Sequence, residues 1–247
     1  MGSVKKLFQG IVKVKKIVDE ADGVKSFYFS IDDFEYEPGH FVMIALPEEA
    51  EDKKKRRAYS IATSPTETKK DGLIGITIKL VEGGYLTTRV HDSSVIYEGA
   101  DLFVAGPFGH PIFSNPQTTK SVALFAAGSG VVPVRSAMKY IYDSMPNTKV
   151  TLFYSFRTPR DFIYENDMKE MLKSPNFKGF ITVTRYDGDD WKGLRGRITR
   201  DLILDNITGE EDVFYACGNT PFVKEIENII INELKVDKSK FKSEAWG

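Results

Sequence analysis

The chain has 247 residues, 41% hydrophobic and 28% charged, a globular balance that argues against disorder and, at this length, for one large domain or two small ones. Lysine plus arginine number 34 against 35 acids, a net charge of −1, so no global basic field points to nucleic acid. One cysteine, Cys217, excludes an internal disulfide, a cluster held by four cysteines and a cysteine zinc cage. Three scattered histidines (His40, His91, His110) show no ligand spacing, and no metal site is expected.

The first residues, Met1-Gly2-Ser3-Val4-Lys5-Lys6, lack an apolar signal core, and Lys6 stands where a myristoylation site wants Ser or Thr. No apolar run approaches the roughly 18 residues of a membrane span. With a lone reduced thiol, these features lead to the expectation of a cytoplasmic protein.

From Gly10 to Gly106 the hydrophobic period is two. It predicts strands over 12–18, 24–31, 41–46, 58–62, 73–80 and 102–105, broken by Gly, Pro and Asp, which together suggest an antiparallel barrel. The fourth strand carries Arg57-Ala58-Tyr59-Ser60. Alternation puts Arg57 and Tyr59 on one face and Ser60 on the other. A guanidinium suits a phosphate, and a tyrosine ring offers a flat wall; a strand with an exposed Arg and a packed Tyr fits the residues equally well. The basic run Lys53–Arg57 invites docking of an acidic partner, or is a solvated loop offset by Glu48, Glu49, Glu51 and Asp52. After Ile76-Thr77-Ile78-Lys79 comes Gly83-Gly84-Tyr85-Leu86-Thr87-Thr88. Its glycines let backbone approach a ligand and the following helix start offers free N–H groups, or the segment is a glycine turn whose Thr caps a helix.

The polar stretch Ser114–Lys120 reads as a linker, dividing the chain into domains 1–114 and 121–247, with the linker at about 115–120. Beyond it, strands over 122–127, 150–154, 180–184 and 213–216 alternate with helices over 134–142, 164–172 and 222–234, the pattern of a parallel sheet covered by helices on both faces, taken as five-stranded. Gly128-Ser129-Gly130-Val131-Val132-Pro133 follows the first of these strands and opens a helix, the context of a pyrophosphate loop, although Pro133 stands where a dinucleotide fingerprint has its third glycine. Cys217-Gly218 ends the last of them, at the end of the sheet where such folds bind ligands; a free Cys is also often simply buried. The tail Glu244-Ala245-Trp246-Gly247 either frays or covers apolar surface.

In order, Arg57–Ser60, Gly84–Thr87, Gly106-Pro107-Phe108-Gly109, Gly128–Pro133 and Cys217-Gly218 resemble the motif series of the ferredoxin–NADP reductase family, with Pro38-Gly39-His40-Phe41 similar to its Pro-Gly-Gln-Phe and the tail similar to its Glu-x-aromatic ending. The resemblance implies a flavin-binding antiparallel barrel followed by an NAD(P)-binding α/β domain. Arg57 would hold the flavin phosphate, Tyr59 would pack on the flavin and Ser60 would touch its reactive edge. Ala58, Ile78, Lys79 and Gly84, Tyr85, Leu86 and Thr87 would complete the flavin site. Gly128, Ser129, Gly130 and Pro133 would take the nicotinamide nucleotide's pyrophosphate, Cys217 and Gly218 would sit beside the nicotinamide, and Glu244 and Trp246 would close the site, Trp246 over the flavin.

The cofactors implied are FAD, with FMN as alternative, and NADPH or NADH. NADPH is preferred because no acid follows the second strand before Asp161, whereas Ser155, Arg157 and Arg197 suit a 2′-phosphate. The implied reaction is hydride transfer from NAD(P)H to flavin, then electron transfer to a separate acceptor such as ferredoxin or flavodoxin, or the reverse. A reductase component of an oxygenase, and a non-enzymatic flavin-binding electron-transfer subunit, are the alternatives. A monomer is expected.

Overall fold

The computed structural model describes residues 7–246, so the expectations placed on Met1–Lys6 and on Gly247 lie outside the described residues. Two compact units divide between Pro111 and Ile112. Residues 115–120, expected as a linker, therefore fall within the second unit. They are tied there by the Asp212 carboxylate, which accepts from the amides of Lys120 at 2.7 Å and Ser121 at 3.1 Å. Among the described residues no helix is long and apolar enough to cross a membrane.

The first unit contains β1 (Phe8–Lys13), β2 (Lys16–Ala21), β3 (Val24–Phe29), β4 (Phe41–Ala45), β5 (Arg57–Ser60), α1 (Pro65–Asp71), β6 (Ile74–Lys79), α2 (Tyr85–His91) and β7 (Asp101–Phe108). The strands form antiparallel sheets in the orders β1-β7-β4-β5 and β2-β3-β6, and an Ile61–Ile76 bridge links the two. The strand expected over 12–18 is two strands. At its centre the Val14 amide bonds the Ala100 carbonyl of one sheet, and the next amide, Lys15, bonds the Tyr28 carbonyl of the other. The barrel interior is filled by Phe27, Phe29, Val42, Ile44, Ile61, Ile74, Ile76 and Val104, each at most 1% exposed.

The second unit contains β8 (Ser121–Ala127), α3 (Val131–Ser144), β9 (Lys149–Phe156), α4 (Glu165–Met171), β10 (Phe177–Val183), β11 (Leu194–Arg195), α5 (Arg200–Leu204), β12 (Val213–Asn219), α6 (Thr220–Glu227) and β13 (Phe241–Trp246). The helix expected over 222–234 starts at Thr220 and continues past α6 as a π-helical turn, Asn228–Glu233. The sheet is six-stranded and parallel, in the order β11-β10-β9-β8-β12-β13. It is one strand wider than the five expected; β11 and β13 lie outside the four segments read as strands, and β13 is the tail, paired along β12 with Phe241 opposite Phe214 through Trp246 opposite Asn219. In one row across the sheet Phe125, Phe153 and Phe180 stack with centroids 5.0 and 5.1 Å apart, a cross-strand aromatic ladder that fixes the register of β8, β9 and β10.

The helix α1 was not expected, since none of its residues is buried. Local chemistry forms it instead. Ser64 Oγ accepts the Glu67 amide at 3.2 Å, the Glu67 carboxylate accepts the Ser64 amide at 2.8 Å, Pro65 opens the first turn and Gly72 closes the last with φ +71°. With no buried residue in the helix, Ser64→Ala should lower the unfolding free energy of the first unit by about 1 kcal/mol, read by urea titration.

Candidate functional site

In the second unit the chain runs β8, β9, β10 in one direction across the sheet, then returns to place β12 on the other side of β8. The carboxyl ends of β8 and β12 are therefore a topological switch point, where open α/β sheets bind ligands. Both glycine motifs lie there. Gly128–Gly130 is a single tight turn leading into the fourteen-residue α3, and Cys217-Gly218 ends β12. The two are in van der Waals contact. A Cβ on Gly130 would stand 2.0 Å from the Cys217 carbonyl oxygen, and one on Gly218 would stand 3.0 Å from the Ala127 Cβ. Gly130 is thus required by the packing of the loop on β12, whether or not a ligand is bound. Gly128 differs: its φ is +54° and a Cβ there would have no heavy atom within 4 Å. That open space, above a glycine at the start of a long helix, fits a pyrophosphate. Pro133 is buried in the first turn of α3, where its missing N–H costs no helical bond, and Ser129 is partly exposed.

Cys217 is fully enclosed. Burial pushes its thiol well above the usual range, and the nearby Glu244 carboxylate adds to this. The Tyr215 hydroxyl, two residues earlier on the same strand, is buried without a hydrogen-bond partner, and burial followed by the charges of Cys217 and Glu244 raises it too. Glu244 lies opposite Cys217 in the β12–β13 register. Trp246 ends that strand, 42% exposed, with its carbonyl accepting from Thr220 Oγ1 at 3.5 Å. The tail up to Trp246 is an edge strand paired along β12.

Of the residues expected at a 2′-phosphate, Arg157 and Arg197 are exposed, whereas Ser155 is buried at the end of β9. Backbone bonds from Arg185 to the Arg157 carbonyl, and from Gly196 to the Val183 carbonyl, align these segments at neighbouring strand ends. Asp161, the first acid after β9, is taken by a cap: its Oδ2 accepts from the Thr158 amide at 3.1 Å and the Thr158 hydroxyl at 2.9 Å.

In the first unit, β5 pairs with β4, Arg57 opposite Ile44 and Ser60 opposite Phe41. Arg57 is exposed, and its Nη1 donates to the Lys54 carbonyl at 2.7 Å and the Arg56 carbonyl at 3.0 Å. Tyr59 packs against the barrel core and burial pushes its hydroxyl up to about 12. Ala58 is exposed, Ser60 half-buried. The Gly83-Gly84 turn leads into α2 with Gly83 at φ +69°. An exposed guanidinium and a glycine turn suit a phosphate-bearing cofactor.

Several residues expected against the flavin have side chains used elsewhere. Ile78 and Leu86 are buried in the barrel core, so only their main chain is available. The Ile78 carbonyl is bonded by His91 Nε2 at 2.9 Å, and burial lowers the His91 pKa. Thr87 Oγ1 closes its own turn, accepting the Val81 amide at 3.2 Å. Lys79 is half-buried at the end of β6. Tyr85 is bonded to Glu49 and lies under Lys55, whose Nζ is 3.6 Å from the ring centroid. Sequence reading missed Arg89, which joins this group from one helical turn beyond Tyr85.

A family model for an oxidoreductase FAD-binding domain matches residues 11–113, and one for an oxidoreductase NAD-binding domain matches residues 124–228. The chain belongs to the ferredoxin–NADP reductase-like family. Among its relatives are glycine betaine monooxygenase reductase subunits of Pseudomonas aeruginosa, 30% identical over 96% of this chain, and sulfhydrogenase 1 subunit gamma of Pyrococcus furiosus, 27% identical over 90%. The chain spans 64% of the length of the former and 74% of the latter. In structure it is similar to an Amycolatopsis cytochrome P450 reductase, TM-score 0.83 at 18% identity over 98% of this chain and 71% of that one. It is also similar to ferredoxin–NADP+ reductase of Plasmodium falciparum, TM-score 0.75 at 17% identity over 96% of each chain.

Two outcomes follow from the packing at the switch point. Gly130→Ala should destabilise the second unit by at least about 2 kcal/mol, because the new Cβ would collide with the main chain of Cys217 and Gly218, which has no rotamer by which to yield; thermal unfolding measures it. Because the Cys217 pKa is raised, the thiolate fraction at pH 8 falls below that of an ordinary thiol. Thiol reagents should then label the native protein at least about 100-fold more slowly than the urea-unfolded one.

Proposed function

We propose that this chain is an NAD(P)H-dependent flavin oxidoreductase that moves hydride from a reduced nicotinamide nucleotide to FAD and passes electrons on to a separate acceptor protein. The observation that carries the reading is the joint presence of the FAD-binding and NAD-binding family domains in one chain. When bound, the flavin and nicotinamide supply the redox chemistry, and the chain supplies binding, orientation and exclusion of water. Arg57 and the Gly83-Gly84 turn would hold the flavin phosphates, Tyr59 would wall the ring and Ser60 would orient its reactive edge. Gly128 and Ser129, at the start of α3, would hold the nucleotide pyrophosphate. Cys217, neutral and enclosed, would border the nicotinamide side of that site without exchanging protons. Cytoplasmic location and a monomeric state complete the reading.

The acceptor is a ferredoxin, a flavodoxin or the terminal component of an oxygenase. The oxygenase reading is favoured by relatives whose names are those of monooxygenase reductase subunits. A chain with one cysteine holds no four-cysteine cluster of its own, so an iron–sulfur carrier would come from elsewhere. Anaerobic titration with NADPH should bleach the flavin absorption bands, and a flavin that stays oxidised would rule out the reductase reading in favour of a flavin-binding subunit.

For the nucleotide we propose NADPH. The acid that would hold ribose hydroxyls is absent from the end of β9, Asp161 is spent on its cap, and Arg157 is exposed beside it. Arg157→Ala should lower kcat/KM for NADPH by about ten-fold and leave the NADH value unchanged, since only the former loses a charge-assisted partner. Equal losses for both nucleotides would refute the assignment.

A further inference from the structure

The loop between β4 and β5, which leads into Arg57, is fastened to α2, which follows the Gly83-Gly84 turn. Arg89 of α2 does this. Its Nη1 donates to Glu49 Oε1 at 2.7 Å and to the Tyr85 hydroxyl at 3.1 Å, and its Nη2 donates to Glu48 Oε1 at 2.9 Å. Tyr85 donates to the same Glu49 oxygen, and Lys55, from the far end of the loop, caps the Tyr85 ring. The loop is also pinned to itself, Arg56 donating twice to the Ala50 carbonyl at 2.9 and 2.6 Å. The Glu49 side chain is only 16% exposed, and its second oxygen, Oε2, is enclosed without a hydrogen-bond partner.

An enclosed carboxylate of this kind depends on its counter-ion. Breaking such a pair from one side leaves a desolvated charge, which the loop can hydrate only by opening. The loop and the turn that Arg89 joins are the two segments proposed above for the flavin phosphates; each is anchored to the barrel on its own side, the loop by buried Ala50 and α2 by buried Leu86 and Val90, and the charges of Arg89 and the two glutamates join one to the other.

We propose that Arg89 is a positioning residue for the flavin: by pairing with Glu48 and Glu49 it holds the Arg57 loop and the Gly83-Gly84 turn in one fixed arrangement, so that the phosphate site exists before the cofactor arrives. The proposal rests on the placing of the flavin phosphates at Arg57 and Gly84. It assigns to Arg89 no contact with the cofactor and no part in hydride transfer. Preorganisation of this kind acts on affinity, because a loop already ordered loses little freedom on binding.

The test uses the full chain stripped of flavin and compares wild type, Arg89→Met, Arg89→Met with Glu49→Gln, Arg89→Lys and Arg57→Ala. FAD affinity is read by fluorescence quenching and loop order by the rate of tryptic cleavage within Lys53–Arg57. Arg89→Met should raise the FAD dissociation constant about ten-fold and speed cleavage of the loop, on the scale of a lost charge-assisted bond. Adding Glu49→Gln should recover about three-fold of that loss, because the stranded carboxylate is gone; an arginine acting only by its own packing would give additive effects instead. Arg89→Lys keeps the charge but loses the fork, and should fall between wild type and Arg89→Met; it decides the matter if the Met variant does not fold. FAD affinity within about two-fold of wild type for the Lys and Met variants, or no recovery on adding Glu49→Gln, would overturn the proposal. Arg57→Ala separates it from the reading beneath it. Loss of FAD with Arg57→Ala but not with Arg89→Met sinks the clamp and leaves the flavin site standing. FAD binding indifferent to Arg57→Ala removes the site and the clamp with it.

Discussion

The geometry of the second unit depends on one approach of main chain to main chain, where the turn after β8 rests on the carbonyl of Cys217. Only a residue without a side chain allows it, since any Cβ at Gly130 would lie inside the carbonyl group. With the turn seated there, the start of α3 is fixed relative to the end of β12, and Gly128 is left facing open space at the one point where the strand order reverses. The three glycines of this region thus do different things. Gly130 and Gly218 let elements touch, and Gly128 supplies a left-handed turn under a free volume. A glycine-rich sequence alone does not separate these roles.

The first unit solves a comparable problem by other means. The two segments proposed for a phosphate-bearing cofactor come from two places in the barrel, the loop before β5 and the turn before α2. Charge joins them, through Arg89 and the two glutamates. Such a join is directional and tolerates the length of a flexible loop, but it depends on each partner keeping its charge. Packing against a carbonyl has no such dependence. The contrast explains why, in the first unit, the residues that hold the site together are polar and lie far apart in sequence.

That separation also marks what the sequence could not disclose. The two-period of the first half and the strand–helix alternation of the second were readable because each reflects one buried face, and the glycine turn after β8 was readable because context and composition agreed. The split of the first expected strand was not, since alternation runs unbroken through Val14 and Lys15 and only their distant partners, Ala100 and Tyr28, bend the chain. The tail strand buries only Phe241 among its residues, too little to stand out as a strand. The helix α1 was legible in principle, as Ser64-Pro65-Thr66-Glu67 followed by Gly72, but it lacks the apolar stripe by which helices are usually found. Arg89 stands four residues after Tyr85, a helical spacing, yet Glu48 and Glu49 are about forty residues away and read naturally as counter-charges to the neighbouring lysines.

The tail strand has an electrostatic consequence that ties the edge of the sheet to the site. Its register brings Glu244 beside Cys217 and Lys242 beside Tyr215. Lys242 is bonded away from that row, to the Ile112 carbonyl and Ser114 Oγ, each at 3.0 Å. Burial and the Glu244 charge both act to keep the proton on sulfur, burial the more strongly. The negative charge at this end of β12 therefore sits on a half-exposed carboxylate that water can reach, and the sulfur presents a neutral, polarisable surface. The charge comes from the pairing of β13 along β12, and the burial is shared among β13, β8 on the other side and the Gly130 turn. Releasing that strand would uncover the edge beside Cys217 and carry Glu244 away, and each change lowers the thiol pKa. The reactivity of this single sulfur therefore depends in part on the pairing of the last strand.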